Sequence, residues 1–195
     1  ISTPGHTPGH MSVLIRSDGE EAVLTGDVAH HPCQMAHLDW SSTADSDPVQ
    51  SIETRRVDLR DEAAVEALAD HVFAKHGKVN LLFNNAGVLV DGKSWERPMR
   101  DWRWSFEVNV YGVIHGIRSF VPRMLKQGEP GRVVNTSSQG GLFGGGTFMG
   151  PYQASKHAVT VLSETLYAEL ALEEAPVTAS CVCPAEVATG IWESD

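Results

Sequence analysis

Tyr152 and Lys156 stand four residues apart, ahead of Val159, Leu162, Leu166 and Leu170, which recur at helical spacing. On a helix that separation puts the phenol and the amine on one face, about one turn from each other. A free phenol titrates near pKa ~10 and exchanges protons poorly at neutral pH. An ammonium beside it favours the phenolate and lowers that value, which brings a tyrosine toward useful proton transfer. The spacing alone occurs in many helices, so its surroundings carry the weight. Ser138 follows a buried-strand pattern, Arg132-Val133-Val134-Asn135, and the turn back toward the helix can bring its hydroxyl near Tyr152 to hydrogen-bond a carbonyl. Asn85 and Gly87 follow the neighbouring apolar run Val79-Asn80-Leu81-Leu82-Phe83, at the strand end where open α/β sheets place ligands.

The elements that must hold these residues alternate helix and strand from Val57 onward. Asp61 is a good N-cap, Val65, Leu68 and Val72 follow at helical spacing, and Gly77 stands just past the end. After the strand at 79–83 a long helix is predicted over 100–126, with Pro122 expected to disturb its last turn. The strand at 132–135 opens into a Gly-rich loop at 140–146, Pro151 suits a first helical turn, and the helix runs to Glu174. Residues 177–183 form the last strand, closed by Pro184. This alternation implies parallel βαβ units in a doubly wound sheet, an α/β fold.

Residues 1–56 have a different texture. Five of nine histidines (His6, His10, His30, His31 and His37) fall in the first 37 residues. Two short strand-like runs, at 11–15 and 22–24, flank Ser17-Asp18-Gly19-Glu20 and predict a β-hairpin, and 41–53 reads as loop.

Composition bounds the function. The chain has 195 residues, 42% hydrophobic and 21% charged, as an ordinary globular chain does. A formal net charge of −10 argues against a nucleic-acid binder, because neutralising phosphates needs a basic surface. No apolar run approaches the length of a membrane span, and the opening Ile1-Ser2-Thr3-Pro4-Gly5 lacks the marks of a signal peptide. Cys33, Cys181 and Cys183 are too few for a disulfide framework, so a reducing cytoplasm is expected. Cys181 and Cys183 would share one face of the last strand, as a ligand pair or as ordinary buried thiols.

Six segments in order resemble the short-chain dehydrogenase/reductase family. They are Val57-Asp58-Leu59, Asn84-Asn85-Ala86-Gly87, Glu107-Val108-Asn109-Val110, Asn135-Thr136-Ser137-Ser138, Tyr152-Gln153-Ala154-Ser155-Lys156 and Cys183-Pro184-Ala185-Glu186-Val187-Ala188-Thr189. The resemblance covers about residues 57–191. It implies a Rossmann-like sheet and hydride transfer between the nicotinamide of NAD or NADP and an alcohol or ketone carbon. Tyr152 would be the general acid/base, and Lys156 would bind the nicotinamide ribose and depress the tyrosine pKa. Ser138 would polarise the substrate carbonyl, and Asn109 would hold a water in the proton relay. Asp58 and Leu59 would lie by the adenine, Asn85, Ala86 and Gly87 beside the adenosine ribose, and Thr189 at the nicotinamide carboxamide. Each assignment has a plainer rival. Asn84 and Asn109 would then be backbone hydrogen-bond partners, Asp58 a helix-start residue and Ser138 a turn hydroxyl. Ala185-Glu186 departs from the family's Gly and apolar residue after the proline.

The family's Gly-rich pyrophosphate turn has no counterpart ahead of Asp58, and the Gly-rich loop at 140–146 reads as substrate-loop material. The sheet would be a partial one, lacking its first strands and phosphate loop, with an open edge at 79–83. Residues 1–56 resemble the metallo-β-lactamase-fold hydrolases instead, through Thr3-Pro4-Gly5-His6-Thr7-Pro8-Gly9-His10 and Leu24-Thr25-Gly26-Asp27-Val28. That likeness implies His6 on one metal and Asp27 bridging two. The family's upstream histidine cluster is missing, and a catalytic zinc takes at least three protein groups, so no metal site is expected. The domain reading is a hydrolase-like fragment at 1–56 joined to a dehydrogenase-like domain at 57–195, a chimeric chain. Its expected function is an NAD(P)-dependent oxidoreductase acting on a small-molecule alcohol or carbonyl compound. The alternatives are an inactive fusion or fragment without cofactor, and a metal-dependent hydrolase through His6 and Asp27. A homo-oligomer through the helices at 100–126 and 151–174 is implied by resemblance, with no nucleic-acid or membrane partner.

Overall fold

A computed structural model describes residues 13–17, 20–24 and 57–185. The expectations placed on His6, Asp27, His30, His31, His37, Cys33 and Thr189 lie outside the described residues. The hairpin is present as β1 (Val13–Ser17) and β2 (Glu20–Leu24), antiparallel, with Val13 opposite Leu24 and Ser17 opposite Glu20. It and the α/β unit are separate compact units of the chain.

In the α/β unit, α1 (Glu62–His76) starts where the Asp61 carboxylate accepts from the Ala63 and Ala64 N–H groups at 2.9 and 3.3 Å. Such a cap is worth about 1 kcal/mol. The helix ends with the Gly77 N–H donating to the Phe73 carbonyl. Val65 and Ala69 are buried, while Leu68 and Val72 are only half-buried. The Phe73 ring meets Phe120 at 6.2 Å between centroids.

β3 (Leu81–Asn84) leads to α2 (Met99–Phe106), a π-helical turn (Glu107–Tyr111) and α3 (Gly112–Gln127). The predicted helix is therefore present, but with a wider turn at its middle, closed by the Gly112 N–H on the Glu107 carbonyl. Pro122 does not disturb the last turn as expected. It sits on the exposed face, so the carbonyl it leaves without a helical donor faces water, and α3 runs on to Gln127. Arg123 of α3 reaches back to Glu66 and Asp70 of α1, at 2.7 and 2.5 Å.

β4 (Gly131–Thr136), a 3-10 turn (Gln139–Gly141), α4 (Gly150–Leu172) and β5 (Val177–Val182) complete the unit. The sheet is parallel in the order β3-β4-β5, with Phe83 beside Val134 and Val134 beside Ser180. Because the strands are laid down in one direction and parallel crossovers are right-handed, both crossovers put their helices on the same face. α1 packs on α3, and α2 with the π turn packs on α4. Between helices and sheet lie Met124, Val133, Val159 and Val177, each at most 1% exposed. The alternation of elements thus yields the expected α/β fold, and β3 is an edge of the described sheet.

Candidate active site

The C-terminal ends of β3 and β4 and the first turns of α4 converge on one lysine. Lys156 is 2% exposed and Tyr152 9%, on one face of α4, with the ammonium 5.9 Å from the phenol ring centroid. The Lys156 Nζ donates to the Thr136 carbonyl at the end of β4 at 3.0 Å. Gly87 comes up on the other side. A Cβ there would sit 2.9 Å from the Lys156 Nζ and 3.3 Å from the Asn109 Oδ1, so the backbone reaches the amine only because this residue has no side chain. The loop after β3 thus passes close to the ammonium that α4 carries and β4 holds.

Ser138 stands in extended backbone at the start of the 3-10 turn, and its Oγ accepts from the Gly140 N–H at 3.1 Å. Accepting there leaves the hydroxyl hydrogen to donate, which is what a carbonyl oxygen needs. The turn is sewn to its surroundings at three points. Ser137 N–H donates to the Val182 carbonyl and Gln139 N–H to the Pro184 carbonyl, both at 2.8 Å. The Ser137 hydroxyl donates to the Lys156 carbonyl at 2.8 Å. Gly141 lies so close to α4 that a Cβ would fall 2.7 Å from the Lys156 carbonyl oxygen.

Asn109, in the π turn, is fully buried. Its Oδ1 accepts from the Val88 N–H at 2.7 Å, and its Nδ2 donates to the Val88 carbonyl and the Ser155 Oγ, both at 2.9 Å. The Ser155 hydroxyl donates in turn to the Tyr152 carbonyl at 2.7 Å. The side-chain amide therefore braces the loop after β3 against α4. π turns recur at functional sites because the inserted residue re-aims its neighbours.

Asn84 does not bond backbone. Its Nδ2 donates to the Asn135 Oδ1 at 2.8 Å, and the Asn135 Nδ2 donates to Ser163 of α4 at 3.0 Å. The Asn85 Oδ1 accepts from the Thr136 hydroxyl at 2.9 Å, joining the ends of β3 and β4, and Ala86 between them is exposed. Asp58 is exposed and doubly bonded to the Arg60 guanidinium, at 2.6 Å to Nη2, which holds its carboxyl below the usual range. The Leu59 carbonyl accepts from the His115 Nδ1–H at 2.8 Å. Leu59 thus lies on α3, between His115 and Gly112, whereas the Asp58 carboxylate is engaged by Arg60. Sequence reasoning missed Ser105, Ser137, Ser155, Thr160 and Ser163, all buried. The readable signal was a run of hydroxyls at positions where a helix or strand normally buries apolar groups.

Among the described residues no group of three or more metal-ligating side chains comes together, and no helix is long and apolar enough to cross a membrane.

Comparison with known proteins gives this geometry its relatives. A family model described as short chain dehydrogenase matches residues 28–195. That span reaches ahead of residue 57 into the segment assigned above to a hydrolase-like fragment. The chain is 39% identical over 135 residues to a 1-deoxy-11-beta-hydroxypentalenate dehydrogenase of Streptomyces avermitilis, covering 68% of this chain and 48% of that protein. A short chain dehydrogenase/reductase from Burkholderia phymatum, solved in complex with NAD, superposes with a TM-score of 0.70 at 45% identity. That match covers 75% of this chain and 54% of that one. A gluconate 5-dehydrogenase from Burkholderia cenocepacia, solved with NADP and tartrate, gives a TM-score of 0.64 at 26% identity over 69% of this chain and 51% of that one. The chain spans about half the length of the curated relatives it matches.

Proposed function

The chain belongs to the short chain dehydrogenase family, and from that premise we propose that it serves nicotinamide-dependent oxidation of an alcohol or reduction of a ketone. The observation that carries the reading is the Lys156 ammonium, buried beside the Tyr152 ring at 5.9 Å and held by the Thr136 carbonyl. The residues present fit the two riboses of such a cofactor: the buried Lys156 ammonium would meet the nicotinamide ribose, and Asn85, Ala86 and Gly87, just past the end of β3, would lie beside the adenosine ribose. A bound nicotinamide supplies the hydride acceptor or donor. Everything else falls to the chain's own groups.

Tyr152 moves the proton at the alcohol or carbonyl oxygen, and the ammonium of Lys156 stabilises the phenolate while its proton is away. Ser138, whose Oγ already accepts from Gly140, donates to the substrate oxygen and fixes it against the phenol. Asn109 keeps the loop after β3 and α4 in register through Val88 and Ser155. NAD and NADP both remain candidates, since the relatives solved with cofactor carry one or the other. The pyrophosphate end has no Gly-rich turn ahead of Asp58 in this sequence.

The same reading extends to assembly and place. A homo-oligomer through α3 and α4 is supported by their large apolar side chains left outside, Tyr111 beside α3 and Val161, Tyr167 and Leu172 on α4. A cytoplasmic location rests on three cysteines and no disulfide framework. Titration with reduced nicotinamide cofactor, followed by its fluorescence, tests the function. A saturable signal that weakens in the Lys156→Met variant is expected, and a wild-type chain giving no saturable signal with either cofactor overturns it.

A further inference from the structure

The Cys181 and Cys183 thiols face each other across one residue at the end of β5, with sulfurs 3.7 Å apart and both side chains half-buried. The residue between them is Val182, whose carbonyl accepts the Ser137 N–H. The residue after them is Pro184, whose carbonyl accepts the Gln139 N–H. Cys183 therefore sits between the two backbone acceptors that hold the residues on either side of Ser138, and Cys181 precedes the first of them. The Ser137 and Thr160 hydroxyls both donate to the Lys156 carbonyl.

We infer that Cys181 and Cys183 form an oxidisable dithiol, and that closing it to a disulfide releases the Ser138 turn. The inference rests on the proposed function only in that Ser138 and Lys156 serve the reaction. The geometry gives the reason for the release. Residues two apart on one face of a strand have Cβ atoms about 6.6 Å apart, whereas a disulfide brings its Cβ atoms to roughly 3.5–4.5 Å. Drawing sulfurs from 3.7 Å to a covalent bond therefore requires residue 182 to buckle out of the extended conformation. Val182 is 45% exposed, so its side chain does not hold residue 182 in the core. Buckling turns the Val182 carbonyl away from the Ser137 N–H. A bond formed under such strain is also readily reduced, as reversible disulfides are.

The oxidant is a peroxide. Cys181 attacks one peroxide oxygen as thiolate, the O–O bond breaks, and a sulfenic acid and one water form. Cys183 sulfur then attacks the sulfenic sulfur, the S–S bond forms, the S–O bond breaks, and a second water leaves. Hydrogen peroxide is reduced to two waters, and the two thiols lose two hydrogens. Burial pushes the Cys183 thiol up, which leaves less of it as thiolate and assigns it the second, resolving step.

The test treats the full chain and its Cys33→Ser variant with hydrogen peroxide. Remaining thiols are counted by maleimide tagging, and the peptide holding both cysteines is weighed. Exchange of the Ser137 and Gln139 amides is followed in parallel. Both proteins are expected to lose two thiols, with that peptide lighter by two hydrogens and amide exchange about tenfold faster or more. Dithiothreitol should reverse all three. The Cys181→Ser variant should keep slow exchange under the same treatment. Persistence of both thiols, oxidation to sulfinic acid, a link between molecules, or a disulfide with unchanged exchange would each overturn the inference. None of these readouts uses cofactor or turnover, so failure of nicotinamide binding would count against the proposed function alone.

Discussion

Along α4 as far as Ser163 the residues turned inward are mostly polar, Tyr152, Ser155, Lys156, Thr160 and Ser163 with Pro151 and Val159 among them, whereas along its last turns they are Leu166 and Leu170. One continuous helix thus contributes mainly polar groups to the interior at one end and apolar ones at the other. Burying an ammonium and the hydroxyls of Ser155, Thr160 and Ser163 is unfavourable unless each finds a partner, and here the helix's own carbonyls together with Thr136, Asn109, Ser137 and Asn135 provide them. Burying leucine needs no such arrangement and gains stability directly from area removed from water. The difference teaches where to look for chemistry. The end of the helix that stabilises the fold least per residue is the end whose surroundings are most closely specified.

If that division is real, substitutions in the two halves separate activity from stability. Tyr152→Phe removes only the hydroxyl, and turnover with cofactor and substrate should fall by about 10²–10⁴-fold, while the unfolding midpoint stays put. Leu166→Ala should do the opposite. It costs about 2–5 kcal/mol in chemical denaturation and leaves the specific activity of the folded protein intact. Equal losses of activity in both variants would break the comparison.

Asn109→Ala tests whether the brace belongs to the polar end. It leaves the Val88 N–H and carbonyl without their partner, at a cost of about 1–3 kcal/mol. Activity should drop as well, because the loop carrying Gly87 loses its hold on α4. A pure stability loss would return Asn109 to the structural side.

The smallest effect is expected far from either half. The lowered Asp58 carboxyl, held by hydrogen bonds from Arg60, stabilises the fold above the ordinary carboxylate range, and that contribution is lost as pH falls through the lowered value. The pair is half-exposed and screened, so Arg60→Gln should cost no more than about 0.5 kcal/mol at neutral pH. The gap between variant and wild type in thermal melts should close in acid and in high salt.

Much of the unit was legible in the sequence. Asp61 and Gly77 bracket α1 as capping chemistry requires, and Pro151 lies in the first turn of α4. Apolar runs gave the three parallel strands to within two residues at their ends. The π turn was not legible, because one inserted residue in a helix of 29 positions, 99–127, barely alters an apolar pattern. Pro122 misled because its effect depends on which face it occupies, and that is set by packing. The juxtaposition of Gly87 and Lys156 was hidden for another reason. It is created by three elements meeting, and no local spacing encodes it. Tyr152 and Lys156 were readable since a single helix fixes their relation.

The π turn at Glu107–Tyr111 acts as a phase shifter between two otherwise ordinary rods. One extra residue advances the helical screw by about 100°. Upstream of the shift Ser105 looks toward Pro151 and Ser155, and downstream of it His115 looks toward Leu59. Deleting one residue here would straighten the rod and swing everything after it out of step, so the grip of Asn109 on Val88 and Ser155 is hostage to a frame-preserving loss of three nucleotides.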